Sequence, residues 1–168
     1  MTDLGRIAAK YYIHTASIEI FNKELKPVMS KADILGMLSI STEFDQVQLQ
    51  ENKVKELKDL MDEIIRCEVK GGTETSEGKV NILLQGYISK AHIEDFALVS
   101  DMAYVTQNGD RIIWGLFEIG LSRKWATVCS VLYSMSKAYV LYNLQRWADE
   151  LSVAELASVS TAELGKFL

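Results

Sequence analysis

The residues with the clearest chemical potential lie between positions 104 and 122, in a segment with helical periodicity. When successive residues are placed about 100° apart, apolar residues collect on one side and mixed polar and aromatic residues on the other. The apolar side holds Ile112, Ile113, Leu116, Phe117 and Ile119. The candidate binding residues on the other side are Gln107, Asn108, Arg111, Trp114, Gly115 and Glu118, with Tyr104 and Ser122 beside them.

Two interpretations of this mixed side are open from the pattern alone. The first is a face that contacts a nucleic-acid strand. An arginine can hold a phosphate or stack on a base, a tryptophan can stack, amides can donate to sugar or phosphate oxygens, and a glycine leaves room for a backbone. The second is an ordinary solvated face with a half-buried tryptophan.

The motifs that bind phosphates or metals are missing from the sequence. Gly78-Lys79 is followed by Val80, and Thr73 stands where a phosphate-binding loop has its first glycine. The two histidines, at positions 14 and 92, have no cysteine or carboxylate at ligand spacing. We therefore expect no metal and no cofactor in this chain.

Catalytic groups are equally hard to find. With two histidines and no nucleophile elbow, a serine–histidine–aspartate site is disfavoured. The pair Glu94-Asp95 is better suited to a helix N-terminus than to acid–base catalysis. The chain is therefore predicted to be no enzyme on its own.

Composition limits the partners. The net charge of −5 argues against a domain that binds nucleic acid alone through a broad basic face, but it permits a narrow contact inside a larger assembly. Cys67 and Cys129 form no CxxC pattern, so both are predicted to be reduced thiols. No apolar run of about 18 residues exists and no signal peptide is recognisable, so we expect no membrane contact and a nuclear or cytoplasmic location.

The elements that position these residues are predicted to be helices throughout. Apolar spacing predicts helices over Val54–Ile65 and Val80–Ile88, and long helices over Ile93–Arg123 and Ala126–Trp147. Asn108-Gly109 is a turn-type pair inside the first long helix. We predict a continuous helix there, because the apolar phase is the same on both sides.

The predicted fold class is all-α. A helical bundle over residues 1–149 is followed by a helix-loop-helix hairpin over residues 150–168. The hairpin rests on two capping boxes, Ser152-Val-Ala-Glu155 and Ser160-Thr-Ala-Glu163, which mark two helix starts eight positions apart.

Three blocks of sequence carry a family resemblance. They are Leu4–Ile13 with Ser17–Asn22, then Gly78–Ser89, then Phe96–Leu121. In this order they resemble the Sec-sixty-three homology unit. Within that family, the sequences of the three blocks are most similar to those of the large two-cassette helicases of superfamily two. These are the spliceosomal helicase and the helicase subunit of the activating signal cointegrator complex.

The resemblance implies a helical bundle, a helical hairpin and a β-sandwich, with a "ratchet" helix that lines the strand channel. Tyr104–Leu121 matches that helix. The implied function is a non-catalytic accessory module of an ATP-dependent RNA or DNA helicase, which contacts single-stranded RNA or DNA and packs on the motor domains. ATP and magnesium would bind in those motor domains only.

The sequence departs from the family at two places. Trp114 stands where the family usually has a second basic residue, and the connection after Trp147 is short and lacks a Pro-Leu-Arg-Gln stretch. The β-sandwich and the ATPase motifs lie outside this sequence, so we expect the chain to be part of a longer protein. The alternative is a protein-interaction scaffold, either a degenerate helicase cassette or the cytosolic domain of the endoplasmic-reticulum translocation protein.

Overall fold

The computed structural model describes residues 2–64, 67–69 and 71–150, with side chains described as far as Tyr139. Within these ranges the chain is helical, with no strand, which confirms the predicted all-α class. The α-helices are α1 (Asp3–Tyr11), α2 (Thr15–Glu24), α3 (Lys31–Ser39), α4 (Val54–Ile64), α5 (Ser76–Ile88), α6 (Phe96–Ser122) and α7 (Ala126–Glu150). Short 3-10 helices lie at Thr42–Phe44 and Glu51–Lys53.

Side-chain caps explain several helix starts. At α3, Ser30 accepts a hydrogen bond from the Asp33 backbone while the Asp33 carboxylate accepts one from the Ser30 backbone, a complete capping box. Asp95 caps α6 by accepting from the Leu98 N–H at 2.9 Å. This confirms the expectation that the Glu94-Asp95 pair serves a helix N-terminus.

Helix α6 runs without interruption through Asn108-Gly109, as predicted. The Asn108 amide donates to the Tyr104 carbonyl one turn earlier, at 2.9 Å, so this side chain stays bonded to its own helix. Gly109 is buried, and a Cβ placed there would come 3.0 Å from Leu84 Cδ2 of α5. The glycine therefore allows two helices to approach closely and does not end the helix.

The core is centred on α6, which packs against α1, α5 and α7. Ile112, Ile113, Leu116 and Ile119 are fully buried, as the periodicity predicts. Each such side chain contributes about 1.5–3 kcal/mol when it leaves water. Helix α7 runs antiparallel to α6, since Gly120 lies against Cys129 near one end and Gly109 lies near Tyr139 at the other.

Two remaining sequence predictions have different outcomes. Both cysteines are free, and burial raises the pKa of the Cys129 thiol. The predicted hairpin lies outside the described residues, so the division into a bundle and a hairpin stays a prediction.

Candidate nucleic-acid interface

The six candidate residues of α6 do not share one environment. Asn108, Arg111 and Gly115 lie on the side of the helix that α1 covers. Gln107 and Trp114 lie on the side that no other described helix covers; Gln107 is exposed and Trp114 is partly exposed. Glu118 lies between the two groups. The mixed side of the sequence pattern is therefore split by the docking of α1.

Arg111 holds the end of α1. Its Nη1 donates to the Tyr11 carbonyl at 3.0 Å and also to the Tyr12 carbonyl, while Nη2 donates to Asn108 Oδ1. Tyr12 has a left-handed backbone (φ 53°) and ends the helix, which leaves carbonyl groups without helical partners. A guanidinium supplies several donors in one plane, so a single side chain bonds both carbonyls.

Gly115 allows α1 and its following residues to approach α6. The glycine is buried, and a Cβ built on it would lie 2.5 Å from Ile13 Cδ1. Gly115 thus gives room to the Ile13 side chain, and a contact of this glycine with a nucleic-acid backbone stays a prediction. Likewise, the Arg111 donors named above are directed to protein carbonyls and to Asn108.

Glu118 pairs with Lys10 of α1. This hydrogen bond raises the pKa of Lys10, with the neighbouring Tyr11 as a smaller cause. The Lys10 ammonium also lies 5.1 Å from the centre of the Tyr11 ring. Since the two charged side chains are 56% and 30% exposed, the pair contributes little to stability and mainly neutralises Glu118 locally.

On the open side, Trp114 begins a row of aromatic rings. Its ring meets Phe117 edge-on, with centroids 5.7 Å apart and planes at 82°. The Phe117 ring in turn lies 6.3 Å from Tyr133 of α7. The Lys137 ammonium is 4.4 Å from the Tyr133 centroid, and Leu121 is 53% exposed one turn beyond Phe117. We call Trp114, Phe117, Leu121, Tyr133 and Lys137 the aromatic surface.

Of this surface, Trp114 is a candidate residue predicted from the sequence, whereas Tyr133 and Lys137 are not. The periodicity of α6 predicts Phe117 in the core, and the structure packs this residue against the core but leaves it partly exposed beside Tyr133. Tyr133 and Lys137 are four residues apart, a spacing that puts them on one helix face. That spacing is a usable signal, but it does not reveal that the face meets α6.

A groove lies beside Gln107, toward the start of α6. Asp110 lines it, and its Oδ1 is buried without a hydrogen-bond partner among the described residues. Burial raises the pKa of this carboxyl. The Tyr139 hydroxyl of α7 is also buried and unpartnered in the described part of the chain, and burial with the nearby Asp110 charge raises its pKa.

Two further features bear on the kind of site. The described residues contain no group of three or more histidine, cysteine, aspartate or glutamate side chains placed to hold a metal ion. Among the same residues, no helix has the length and apolar character needed to cross a membrane. Lys79 of the Gly78-Lys79 pair is buried and donates to the Gln48 carbonyl and to Asp101, so its ammonium serves the fold.

Comparison with known proteins gives the family context. The Sec63 Brl domain family matches residues 1–147. The chain is 43% identical over 136 residues to the RQC trigger complex helicase SLH1 of Saccharomyces cerevisiae, which covers 81% of this chain and 7% of that protein. It is 42% identical over 150 residues to activating signal cointegrator 1 complex subunit 3 of Homo sapiens, covering 89% of this chain and 7% of that protein.

A plant relative is more distant. The DExH-box ATP-dependent RNA helicase DExH12 of Arabidopsis thaliana is 39% identical over 137 residues, which cover 82% of this chain and 6% of that protein. The chain thus spans only a small part of the length of these relatives. The family match and the three alignments each cover most of the chain, and they show that the chain belongs to the Sec63 Brl domain family, in the branch that occurs in DExH-box helicases.

Proposed function

We propose that this chain is an accessory module of an ATP-dependent helicase and that the open side of α6 contacts the single strand as it passes. The observation that carries the proposal is the unbroken 27-residue α6, which presents Gln107 and Trp114 two turns apart on one uncovered side. Helices α1, α5 and α7 pack against the other parts of α6 and hold this face in place, which suits a contact that must be kept through many cycles.

The proposal assigns the six candidate residues two kinds of role. Gln107 would donate to the strand, and Trp114 would stack on a base. Arg111, Asn108 and Gly115 would fix α1 against α6 and so set the width of the uncovered side. Glu118, neutralised by Lys10, would lie at its edge without repelling phosphates.

The energetics suit a module that works inside a larger protein. Stacking of one base on one aromatic side chain is worth about 1–3 kcal/mol. That is too little for independent binding by a chain with a net charge of −5, but it is enough to bias the position of a strand that motor domains already hold. The proposed partners are therefore a single strand of RNA or DNA and the motor domains of the same protein. Those motor domains would bind ATP and magnesium, in the nucleus or cytoplasm.

The experiment is Trp114→Ala in the complete helicase. We expect unwinding of a partial duplex to fall about tenfold, because a stacking contact of this size is lost. The KM for ATP should stay unchanged, since no ATP contact is altered. Val28→Ala is the control, because Val28 is an exposed apolar residue between α2 and α3. Equal unwinding by wild type and Trp114→Ala would contradict the proposal.

Trp114 also favours a second candidate, a protein-interaction scaffold, because the family resemblance implies a basic residue at this position and the chain has an aromatic one. A scaffold binds partners through apolar and aromatic surface and needs no strand contact. It predicts that Trp114→Ala leaves unwinding intact and weakens binding of a protein partner. The two candidates are thus separated by the same variant.

A further inference from the structure

We propose that Tyr133 and Lys137 of α7 extend the strand-contacting face of α6, and that this face grips the strand through its bases rather than its phosphates. The inference rests on the proposed function and specifies how the contact is made. It adds a second helix to the interface and names the part of the nucleotide that is recognised.

The geometry supports a single surface shared by two helices. Phe117 of α6 lies between Trp114 and Tyr133, with centroids 5.7 Å and 6.3 Å away. Tyr133 is 44% exposed, and the Lys137 ammonium lies over its ring, so a base that stacks there would displace this ammonium toward the flanking phosphate. Phe117 contacts the partly exposed Trp114 ring and the exposed Tyr133 ring, and these contacts help to fix the orientation of two rings on different helices.

The charges near this surface favour bases over phosphates. Between residues 103 and 139 the sequence has four cationic side chains: Arg111, Arg123, Lys124 and Lys137. Arg111 is bonded to the end of α1, and Arg123 is bonded to Asn22 and lies 4.9 Å from the centre of the Trp125 ring. Lys137 is the cation that lies over the aromatic surface itself. A surface with three aromatic rings and one ammonium is suited to bind a strand by stacking on its bases, with few ion pairs to its phosphates.

Lys137 has a defined place in this arrangement. Its ammonium lies over the Tyr133 ring, one helical turn along α7. From there it can reach a phosphate that flanks a base stacked on Tyr133. For a single strand, one phosphate contact changes the slope of log affinity against log salt concentration by only about 0.7.

The nearby negative charges do not oppose a strand. Glu118 is paired with Lys10, and Asp110 is partly buried in the adjoining groove, with its Oδ1 fully buried. Because Arg111 and Arg123 are bonded within the protein, Lys137 is the cation that lies over the aromatic surface. One ammonium attracts an acidic protein segment only weakly, whereas the aromatic rings can stack on bases, and a single strand is therefore the favoured occupant.

The test combines protein variants with altered strands in the complete helicase. Tyr133→Ala is compared with Tyr133→Phe, which keeps the ring, on a partial duplex whose single strand has either normal or abasic nucleotides. On the normal strand we expect Tyr133→Ala to lower unwinding about fivefold to tenfold, with Tyr133→Phe within about twofold of wild type. On the abasic strand, wild type and Tyr133→Ala should differ by less than about twofold, because no base is left to stack.

The outcomes separate this inference from the proposed function. If Trp114→Ala lowers unwinding and Tyr133→Ala does not, α7 lies outside the interface and the inference is wrong while the proposed function stands. If Tyr133→Ala lowers unwinding equally on normal and abasic strands, the surface contacts phosphates or a protein, and the base-stacking inference is overturned. If neither variant changes unwinding, the proposed function itself fails.

Lys137→Gln completes the design. It should reduce the salt dependence of strand affinity by at most about 0.7 in the log–log slope, because one phosphate contact is lost. A much larger reduction would show that the surface binds mainly by charge and would overturn the inference. Thermal unfolding of each variant checks that these substitutions of exposed side chains leave the fold intact.

Discussion

The Arg111 guanidinium donates hydrogen bonds to the carbonyl oxygens of Tyr11 and Tyr12 and thereby joins the middle of α6 to the end of α1. The bonds connect residues about a hundred positions apart, at a point where α1 ends in a left-handed residue. Since Ile13 and Gly115 meet beside them, the polar and apolar contacts reinforce each other. The position of α1 decides which side of α6 remains uncovered.

Replacing Arg111 should therefore destabilise the fold. We expect Arg111→Ala to lower the free energy of unfolding by about 1–2 kcal/mol, because charge-assisted bonds to two backbone carbonyls are lost. Arg111→Lys should recover less than half of this, since an ammonium lacks the planar array of donors. Urea unfolding measures the change. Arg6→Ala is the control, because Arg6 forms an exposed pair with Asp3 and should cost little. An Arg111→Ala midpoint equal to that of wild type would show that the capping bonds contribute nothing.

A double-mutant cycle tests the close approach at Gly115. Gly115→Ala should destabilise the wild-type background, because the new methyl group overlaps Ile13 Cδ1. Such overpacking typically costs about 1–3 kcal/mol. The higher helix propensity of alanine offsets about 1 kcal/mol of this cost. In an Ile13→Val background that terminal carbon is gone. In that background, Gly115→Ala should destabilise the fold by about 1 kcal/mol less than it does in wild type. Additive effects in the cycle would mean that the two residues do not touch.

Much of the fold could be predicted because helical periodicity is a local property. The apolar phase of α6 is set by residues such as Ile112, Ile113 and Leu116, and it continues across Asn108-Gly109, so the long helix could be predicted from the sequence. The capping serine of α3 and the capping aspartate of α6 are similarly local signals.

The candidate site could be predicted only in part, because periodicity does not show which helix covers which side. Arginine and glycine suit a strand contact, but they also suit the cap of a neighbouring helix and the close packing of two helices. Residue type therefore could not separate Arg111 and Gly115 from Gln107 and Trp114. Tyr133 was not predicted from the sequence for the same reason, since the position of this ring beside Phe117 depends on how α7 packs against α6.

Asp110 should make stability depend on pH. Burial raises its folded-state pKa above the ordinary value of 3.8, so the folded chain binds the proton more tightly than the unfolded chain. The stabilising contribution is complete below about pH 3.8 and is lost as the pH rises through the folded pKa.

The variant Asp110→Asn removes this titration, and we expect it to unfold at a higher temperature than wild type at about pH 7. The difference should disappear below the ordinary pKa of 3.8, where the wild-type carboxyl is protonated in the folded and unfolded chains, and thermal unfolding across this range measures it. An Asp110→Asn variant that is less stable than wild type at neutral pH would contradict the assignment.

Photocrosslinking from α6 tests the strand contact most directly. A benzoylphenylalanine is placed at position 107 in the complete helicase, where the natural glutamine is exposed on the uncovered side. A matched protein carries the same group at position 28, on the exposed connection between α2 and α3. Irradiation with a labelled partial duplex should link position 107 to the single strand and leave position 28 unlinked. No product at position 107, or equal yields at the two positions, would contradict the account.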